Sequence, residues 1–314
     1  MAIATIGIPV YNEVVCLSET IRSAISQTLS DIEIVISDNA STDKSFEIAS
    51  EYSRIDSRVS VIRQVENVGP IDNFRATLDE AKTPYFVWLG GHDLFESDYL
   101  EKAVYYLERH QGTVMMYPQH AIFVDKENNY LSKGACSTID TTGIEWPMER
   151  VTHIVKNLNL CTNIHGVFRT NVLRQLPFEK VIGPDNLMLA MTGIFGHIVG
   201  VDTIGIRRRE FRSEDFTYKK KRWEKMGVFS NVKGEDPYIK LVELHFSYIK
   251  DCKEIKMLDK IINYYSFAKI LKERYLGSHK KALDVANSAL VSETKFRGFC
   301  VLALSVARSP DLLF

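Results

Sequence analysis

Two rhythms of apolar residues alternate along the first hundred positions. Ala4 to Val10 is a continuous apolar, β-branched run and predicts a buried strand. Ser18 to Thr28 places Ile21, Ala24 and Ile25 at helical spacing, with Ser18 as the expected N-cap. Ile32 to Ser37 predicts a second strand, ending in Asp38-Asn39-Ala40-Ser41-Thr42-Asp43. Lys44 to Arg54 reads as a helix, Val59 to Gln64 as a third strand, Asp72 to Ala81 as a helix and Tyr85 to Leu89 as a fourth strand. Strands separated by helices predict right-handed βαβ crossovers, a parallel sheet and an α/β fold. Such sheets bind ligands at the carboxyl ends of their strands. The polar clusters Tyr11-Asn12-Glu13, Asp38-Asn39, Asn67-Val68-Gly69 and Gly90-Gly91-His92-Asp93 all fall there.

The pattern is less regular further on. A helix is expected from Ser97 to His110, then strands at Val114 to Tyr117 and Ala121 to Val124. Residues 125–143 are polar and turn-rich, and 145–176 mix both periods without resolving into elements. Pro184-Asp185 opens a helix through Met191, and Leu187 to Ile206 reads as that helix followed by a strand. Residues 207–235 form a basic segment expected to be a loop or linker. The remainder, 236–314, reads as helices with one apolar stripe at Ile261, Tyr264, Tyr265 and Ala268 and another at Ala282, Val285, Ala286, Ala289 and Leu290. The expected organisation is a ligand-binding α/β domain over 1–206, the basic segment, and a helical region.

Composition narrows the classes. With 45% hydrophobic and 25% charged residues over 314 positions, the chain can bury a core, which excludes disorder as its main state. No stretch of about eighteen uninterrupted apolar residues predicts a membrane span. The N-terminal apolar residues read as a strand, with no basic region of a signal peptide before them. The 5 cysteines (16, 136, 161, 252 and 300) lie at scattered spacings without CxxC, which points away from a disulfide framework or zinc site and towards a reducing cytoplasm. The net charge of −1 hides an asymmetry: residues 1–204 carry 16 Lys and Arg against 26 Asp and Glu, whereas 205–281 carry 20 against 11. That balance does not suit a nucleic-acid binder. It suggests that the second part faces something anionic, a solvated charged face being the plainer alternative.

The strand exits resemble the signatures of family 2 glycosyltransferases. Gly7-Ile8-Pro9-Val10-Tyr11-Asn12-Glu13 resembles the opening motif, and Asp38-Asn39-Ala40-Ser41-Thr42-Asp43 the second. Asn67-Val68-Gly69 with Asn73-Phe74 and Ala81 is similar to the third, and Gly183-Pro184-Asp185-Asn186-Leu187-Met188 to the segment bearing the catalytic carboxylate. The resemblance covers about residues 3–210 and implies a GT-A fold, Rossmann-like and mostly parallel, here with a helical C-terminal extension. It implies an inverting transfer of sugar from a nucleoside-diphosphate donor to a hydroxyl. The chain departs at the metal motif: the family's Asp-x-Asp-Asp is Gly90-Gly91-His92-Asp93, so only Asp93 survives. Mg²⁺ or Mn²⁺ wants carboxylate oxygens, leaving His92 and Asp93 as the candidate pair for a softer ion.

Each implied role has a plainer alternative. Asp38 accepts from a base N–H and Glu13 from a ribose hydroxyl, with Pro9 and Tyr11 shaping the base pocket; Asp38 and Asp43 also fit a turn-and-cap pair. Asn67, Gly69, Asn73, Gly91, His92 and Asp93 complete the implied donor set, although Asn67 and Gly69 equally make a simple turn. Arg207, Arg208 and Arg209, with Arg212 and Lys219 to Arg222, are candidates for a mobile basic loop over the diphosphate, or for a membrane-facing segment anchored by Trp223. Asp185 is the expected general base, its alternative being a helix N-cap. His153, His165 and His197 lack metal-type spacing and read as structural. The expected acceptor is a bacterial surface polysaccharide or glycolipid at the inner membrane face, with Phe299 to Ala307 as a candidate membrane or dimer contact. The rival functions are a nucleotide-sugar-binding protein without turnover and a nucleotidyltransferase.

Overall fold

A computed structural model describes residues 2–210 and 238–276. Four parallel strands open the chain: β1 (Ala4–Val10), β2 (Ile32–Asp38), β3 (Val59–Arg63) and β4 (Tyr85–Trp88). They are joined by α1 (Leu17–Ile25), α2 (Ser45–Ile55) and α3 (Pro70–Asp79), within a residue or two of expectation except that α1 ends three residues before Thr28. Ser18 is not the N-cap of α1; Cys16 holds that position, and Ser18 Oγ instead meets Tyr52 Oη at 2.8 Å, tying α1 to α2.

Then come β5 (Leu94–Phe95), α4 (Tyr99–Arg109) and the long β6 (Thr113–Val124). The two strands expected around Pro118 are one, with register shifts near Pro118 and His120 where Pro supplies no N–H to the ladder. The stretch expected to be turns contains β7 (Tyr130–Ala135), an edge strand paired to β6. It shows no apolar alternation because most of its side chains are exposed. Residues 145–176 resolve into α5 (Pro147–Asn157), a short 3₁₀ turn (Cys161–His165), β8 (Val167–Arg169) and α6 (Thr170–Leu173). Next are α7 (Pro184–Phe195) and β9 (His197–Arg209), then helices Tyr238–Asp251 and Met257–Leu271 and a π-type turn, Lys272–Leu276.

The strands form one sheet in the order β3-β2-β1-β4-β8-β6-β9-β5, with β7 beside β6. β8 runs antiparallel to both β4 and β6, whereas β6 and β9 are parallel. Trp88 is fully buried at the centre, and its indole N–H reaches Phe74 O and Thr77 Oγ1, both at 3.1 Å, seating α3 on the sheet. That seat is close: a Cβ on Gly7 would lie 2.5 Å from Phe86 Cζ and from Thr77 Oγ1, so only glycine fits.

Two expectations change here. Arg207 to Arg209 are the last residues of β9, so they belong to the sheet and not to a loop. In the C-terminal stripe Ala268 is buried but Tyr265 is 76% exposed. Arg212, Lys219 to Arg222, Trp223, the stripe from Ala282 to Leu290 and Phe299 to Ala307 lie outside the described residues.

Candidate active site

The exits of β1, β2 and β4 share one rim. Asn12 (φ 56°) and Ala40 (φ 54°) both adopt left-handed backbone there, a conformation that non-glycine residues hold only where their surroundings impose it. The imposition is a side-chain lattice. Asn12 N–H donates to Ser41 Oγ (3.0 Å), Asn12 Oδ1 accepts Thr42 N–H (2.8 Å), and Glu13 N–H donates to Ser45 Oγ (2.8 Å). Asp43 accepts from Ser45 N–H at 2.9 Å and Val14 N–H at 3.2 Å, the turn-and-cap alternative.

Asp38 differs. It is wholly buried at the end of β2; its Oδ2 accepts Ser41 N–H at 3.2 Å and lies 3.8 Å from Arg63 Nε. Its Oδ1 is buried and has no hydrogen-bond partner. An interior acceptor left unpaired costs about 1–3 kcal/mol. Tyr11, 42% exposed, follows β1 at the rim, while Pro9 is buried within β1.

Several expected donor-site residues have their polar atoms engaged within the fold. Asn73 is buried, accepts Ser37 Oγ–H at 2.7 Å and donates to Ser37 O (3.0 Å) and Val10 O (3.4 Å), bracing β1 against β2. Asn67 Oδ1 accepts from Asn39 Nδ2 (3.0 Å) and Gly69 N–H (2.9 Å). Gly69 is demanded by its φ of +88°, since a Cβ there would meet nothing within 4 Å. Gly91 is closely seated: a Cβ there would lie 3.0 Å from Glu13 Cγ and 3.4 Å from Pro9 O, so the Glu13 side chain would have to give by a few tenths of an ångström.

At the turn after β4, Glu13 Oε1 lies 3.1 Å from His92 Nδ1, and His92 Nε2 lies 4.0 Å from Asp93 Oδ1. Asp93 is buried; its Oδ1 accepts Arg209 N–H at 2.9 Å and its Oδ2 lies 3.6 Å from His165 Nε2. His165, whose spacing reads as merely structural, is delivered here by the 3₁₀ turn. Its Nδ1 faces Trp88 O at 2.9 Å and must carry the proton, because a carbonyl only accepts. Burial pushes the His165 pKa down and Asp93 pulls it partly back. No periodicity in the sequence marks His165; it arrives through the packing of the 3₁₀ turn on β4.

β9 ends across the same turn. Successive strand side chains point to opposite faces, and the three arginines follow that rule. Arg207 pairs with Glu96 at 2.7 Å. Arg209, its side chain buried, pairs with Glu19 and donates to His92 O at 2.8 Å. Arg208 goes the other way, donating to Thr162 Oγ1 at 2.9 Å with its guanidinium 5.9 Å from the Phe123 ring centroid. The expected triple arginine cluster is therefore divided, and Arg208 is the member without a carboxylate partner among the described residues.

Asp185 sits half-buried in the first turn of α7, behind Pro184 and the left-handed Gly183 (φ +64°). Cys161 Sγ–H donates to Asn186 Oδ1 at 3.3 Å beside it. Burial and then the Asp185 charge push the Cys161 thiol up, while Arg274 and Arg208 pull it back, so all four groups share one electrostatic neighbourhood.

The residues do not fit a Mg²⁺ or Mn²⁺ ion. A hard cation needs several oxygens; the turn offers Asp93, already accepting a backbone N–H, and His92, already facing Glu13. Among the described residues no three His, Cys, Asp or Glu are arranged to hold a metal.

The Glycosyl transferase family 2 model matches residues 5–181, and the chain belongs to that family. An uncharacterized glycosyltransferase of Haemophilus influenzae is 29% identical over 179 residues, which are 54% of this chain and 53% of that protein. The putative teichuronic acid biosynthesis glycosyltransferase TuaG of Bacillus subtilis is 30% identical over 99 residues, covering 32% of this chain and 39% of that one. The chain thus spans about half the length, or less, of these relatives. The fold is that of S. aureus TarS 1–349 in complex with UDP-GlcNAc, with TM-score 0.60 at 15% identity over 96% of this chain and 79% of that one. The Pyrobaculum calidifontis mannosyltransferase PcManGT, in complex with GDP-Man and Mn²⁺, shares it at TM-score 0.52 and 15% identity over 98% and 81%. The GT-A architecture expected from the strand exits is the one found. No helix among the described residues is long and apolar enough to cross a membrane.

Proposed function

We propose that the protein transfers a sugar from a nucleoside-diphosphate donor to a hydroxyl of a glycan or lipid-linked acceptor, with inversion. The observation that carries this reading is the buried, unpaired Oδ1 of Asp38 at the nucleotide rim, together with the half-buried carboxylate of Asp185 at the start of α7. Asp38 takes a base N–H, Glu13 a ribose hydroxyl, and the Tyr11 ring covers the base. Asp185 removes the acceptor O–H proton as that oxygen bonds to the anomeric carbon. The bond from that carbon to the β-phosphate oxygen breaks on the opposite face, and the nucleoside diphosphate leaves with the electron pair. Arg208 supplies positive charge for the departing group. Likeness to TuaG favours a surface polysaccharide as product, made at the inner membrane face.

Asp185→Asn tests it. Thermal-shift titration with UDP, GDP, dTDP and CMP, with and without Mn²⁺, identifies the nucleotide, because a ligand that binds the folded state raises apparent stability. The variant is expected to keep that shift and lose donor turnover. Turnover retained in Asp185→Asn would remove the base assignment. Nucleotide binding with no turnover in the wild type would favour the binding-protein reading, which the engaged oxygens of Asp93 also suit.

A further inference from the structure

Residues 176–183 lead from α6 into α7 and so deliver Asp185, and they are gripped from two sides. On the sheet side Phe178 meets Trp88 in a T-shaped contact, ring centroids 5.9 Å apart, and Lys180 pairs with Asp72 of α3 at 2.6 Å. On the other side stands helix Tyr238–Asp251. A Cβ on Gly183 would lie 3.7 Å from Leu241 Cδ2, so Leu241 reaches the left-handed residue two positions before Asp185. Two turns further along the same helix face, Tyr248 Oη donates to Glu179 Oε1 at 2.7 Å. One face of one helix thus holds the delivering segment at both ends.

The two contacts differ in kind. Leu241 is wholly buried and is part of the hydrophobic core as well as a neighbour of Gly183. Tyr248 and Glu179 are half-buried, and their contact is polar. Burial, then the hydrogen bond to Glu179 and its charge, push the Tyr248 hydroxyl up to about 12, so the phenol keeps its proton and the carboxylate accepts. Beside this bond the helix and the end of α7 part around a cavity of about 340 Å³, lined by Pro177, Met191, Phe195 and Ser247, so close packing does not duplicate the hydrogen bond. The rim residues Tyr11, Glu13 and Asp38 belong to β1, β2 and their exits, which are different elements. A fault in the grip therefore displaces Asp185 and leaves nucleotide recognition in place.

We infer that Tyr248 and Glu179 are positioning residues for Asp185, their hydrogen bond fixing the segment that sets the carboxylate against the acceptor hydroxyl. The inference rests on the transferase reading above, in which Asp185 is the base. It gives helix Tyr238–Asp251 a part in the reaction although none of its side chains is asked to touch substrate. A misplacement of about 1 Å costs on the order of 100-fold in rate. Loss of one of the two holds permits a smaller shift, and the expected fall is about 10-fold.

The test uses the full chain and the variants Tyr248→Phe, Glu179→Ala, Glu179→Gln and Asp185→Asn, each checked for a native melting transition. Hydrolysis of the nucleotide sugar matching the nucleotide identified above, with water standing in for the acceptor, gives kcat and KM, and calorimetry gives the nucleotide Kd. Tyr248→Phe and Glu179→Ala are expected to lower kcat about 10-fold with Kd and KM unchanged. Glu179→Gln, whose amide oxygen still accepts the hydroxyl, is expected to restore most of the rate. The double variant should be no slower than either single one, because both remove the same bond. A Tyr248→Phe kcat equal to that of the wild type overturns the inference, as does a fall in kcat matched by an equal weakening of nucleotide binding. Turnover retained in Asp185→Asn, or absent from the wild type, removes the base reading and the positioning role with it. That result differs from an inactive Asp185→Asn beside a fully active Tyr248→Phe, which removes the positioning role alone. Should Glu179→Ala fail to fold, Tyr248→Phe, which deletes one oxygen only, carries the comparison.

Discussion

Asp38→Asn separates recognition from scaffolding, because one reading puts its effect on nucleotide affinity and the other on stability. The side chain is wholly buried, with one oxygen held by Ser41 N–H at 3.2 Å and the other unpartnered. Asparagine keeps an acceptor for Ser41 and removes a carboxylate whose second oxygen the fold leaves unpaired. The ion pair lost with Arg63 spans 3.8 Å to a side chain 50% exposed, which solvent screening reduces to about 0.5 kcal/mol or less. The amide Nδ2 that replaces Oδ1 is as unpaired as the oxygen was, so the free protein is expected to change by no more than about 1 kcal/mol, a Tm shift within about 2–4 °C. Binding is expected to change more. A base N–H donating to a buried charged acceptor is worth about 1.5–3 kcal/mol, so the nucleotide Kd should weaken roughly 10- to 150-fold. Differential scanning fluorimetry of the free protein and calorimetry with the nucleotide give both numbers. A fall in Tm with an unchanged Kd would refute the reasoning and make Asp38 a turn cap like Asp43.

Two further effects follow from the backbone and from buried charge. Gly69→Ala should cost about 1–3 kcal/mol in urea unfolding through its φ of +88° alone, since no atom lies within 4 Å of the new Cβ; an unchanged midpoint would contradict this. Burial lowers the His245 pKa from 6.5 to about 4. The unfolded chain therefore takes the proton first, and stability present above pH 6.5 is lost as pH falls towards about 4. Between pH 7 and pH 5 the wild type should lose about 2 kcal/mol more than His245→Leu; parallel losses would show that His245 is not buried neutral.

The first half of the sheet was legible because each strand is a short apolar run closed by a polar cluster, and each helix carries its own stripe. Ala4–Val10 could be read to the residue. β7 and β8 were not legible: one is an exposed edge without an apolar face, and the other spans only Val167–Arg169. The rim was legible as residue types in a motif. Their division of labour was not, since Asn73 as a brace and Asp43 as a cap depend on partners about 30 residues or more away or on turn geometry. His165 reaches Asp93 through tertiary packing alone and carries no local signal.

Strand alternation explains why a run of three arginines does not make one basic patch. Arg207 and Arg209 share a face and are engaged by Glu96 and Glu19. Arg209 also holds the turn after β4 twice, through its guanidinium on His92 O and its backbone N–H on Asp93 Oδ1. Asp93, the one carboxylate left where the family carries its metal motif, thus acquires a structural partner on β9. The residue between, Arg208, is turned to the opposite face with its charge unpaired by any carboxylate among the described residues. A one-residue slip in register would turn Arg208 to the face of Glu96 and Glu19. The register of β9 against β5, with Leu94 opposite Arg207 and Phe95 opposite Ile206, is therefore what leaves a cation on the Asp185 side of the sheet.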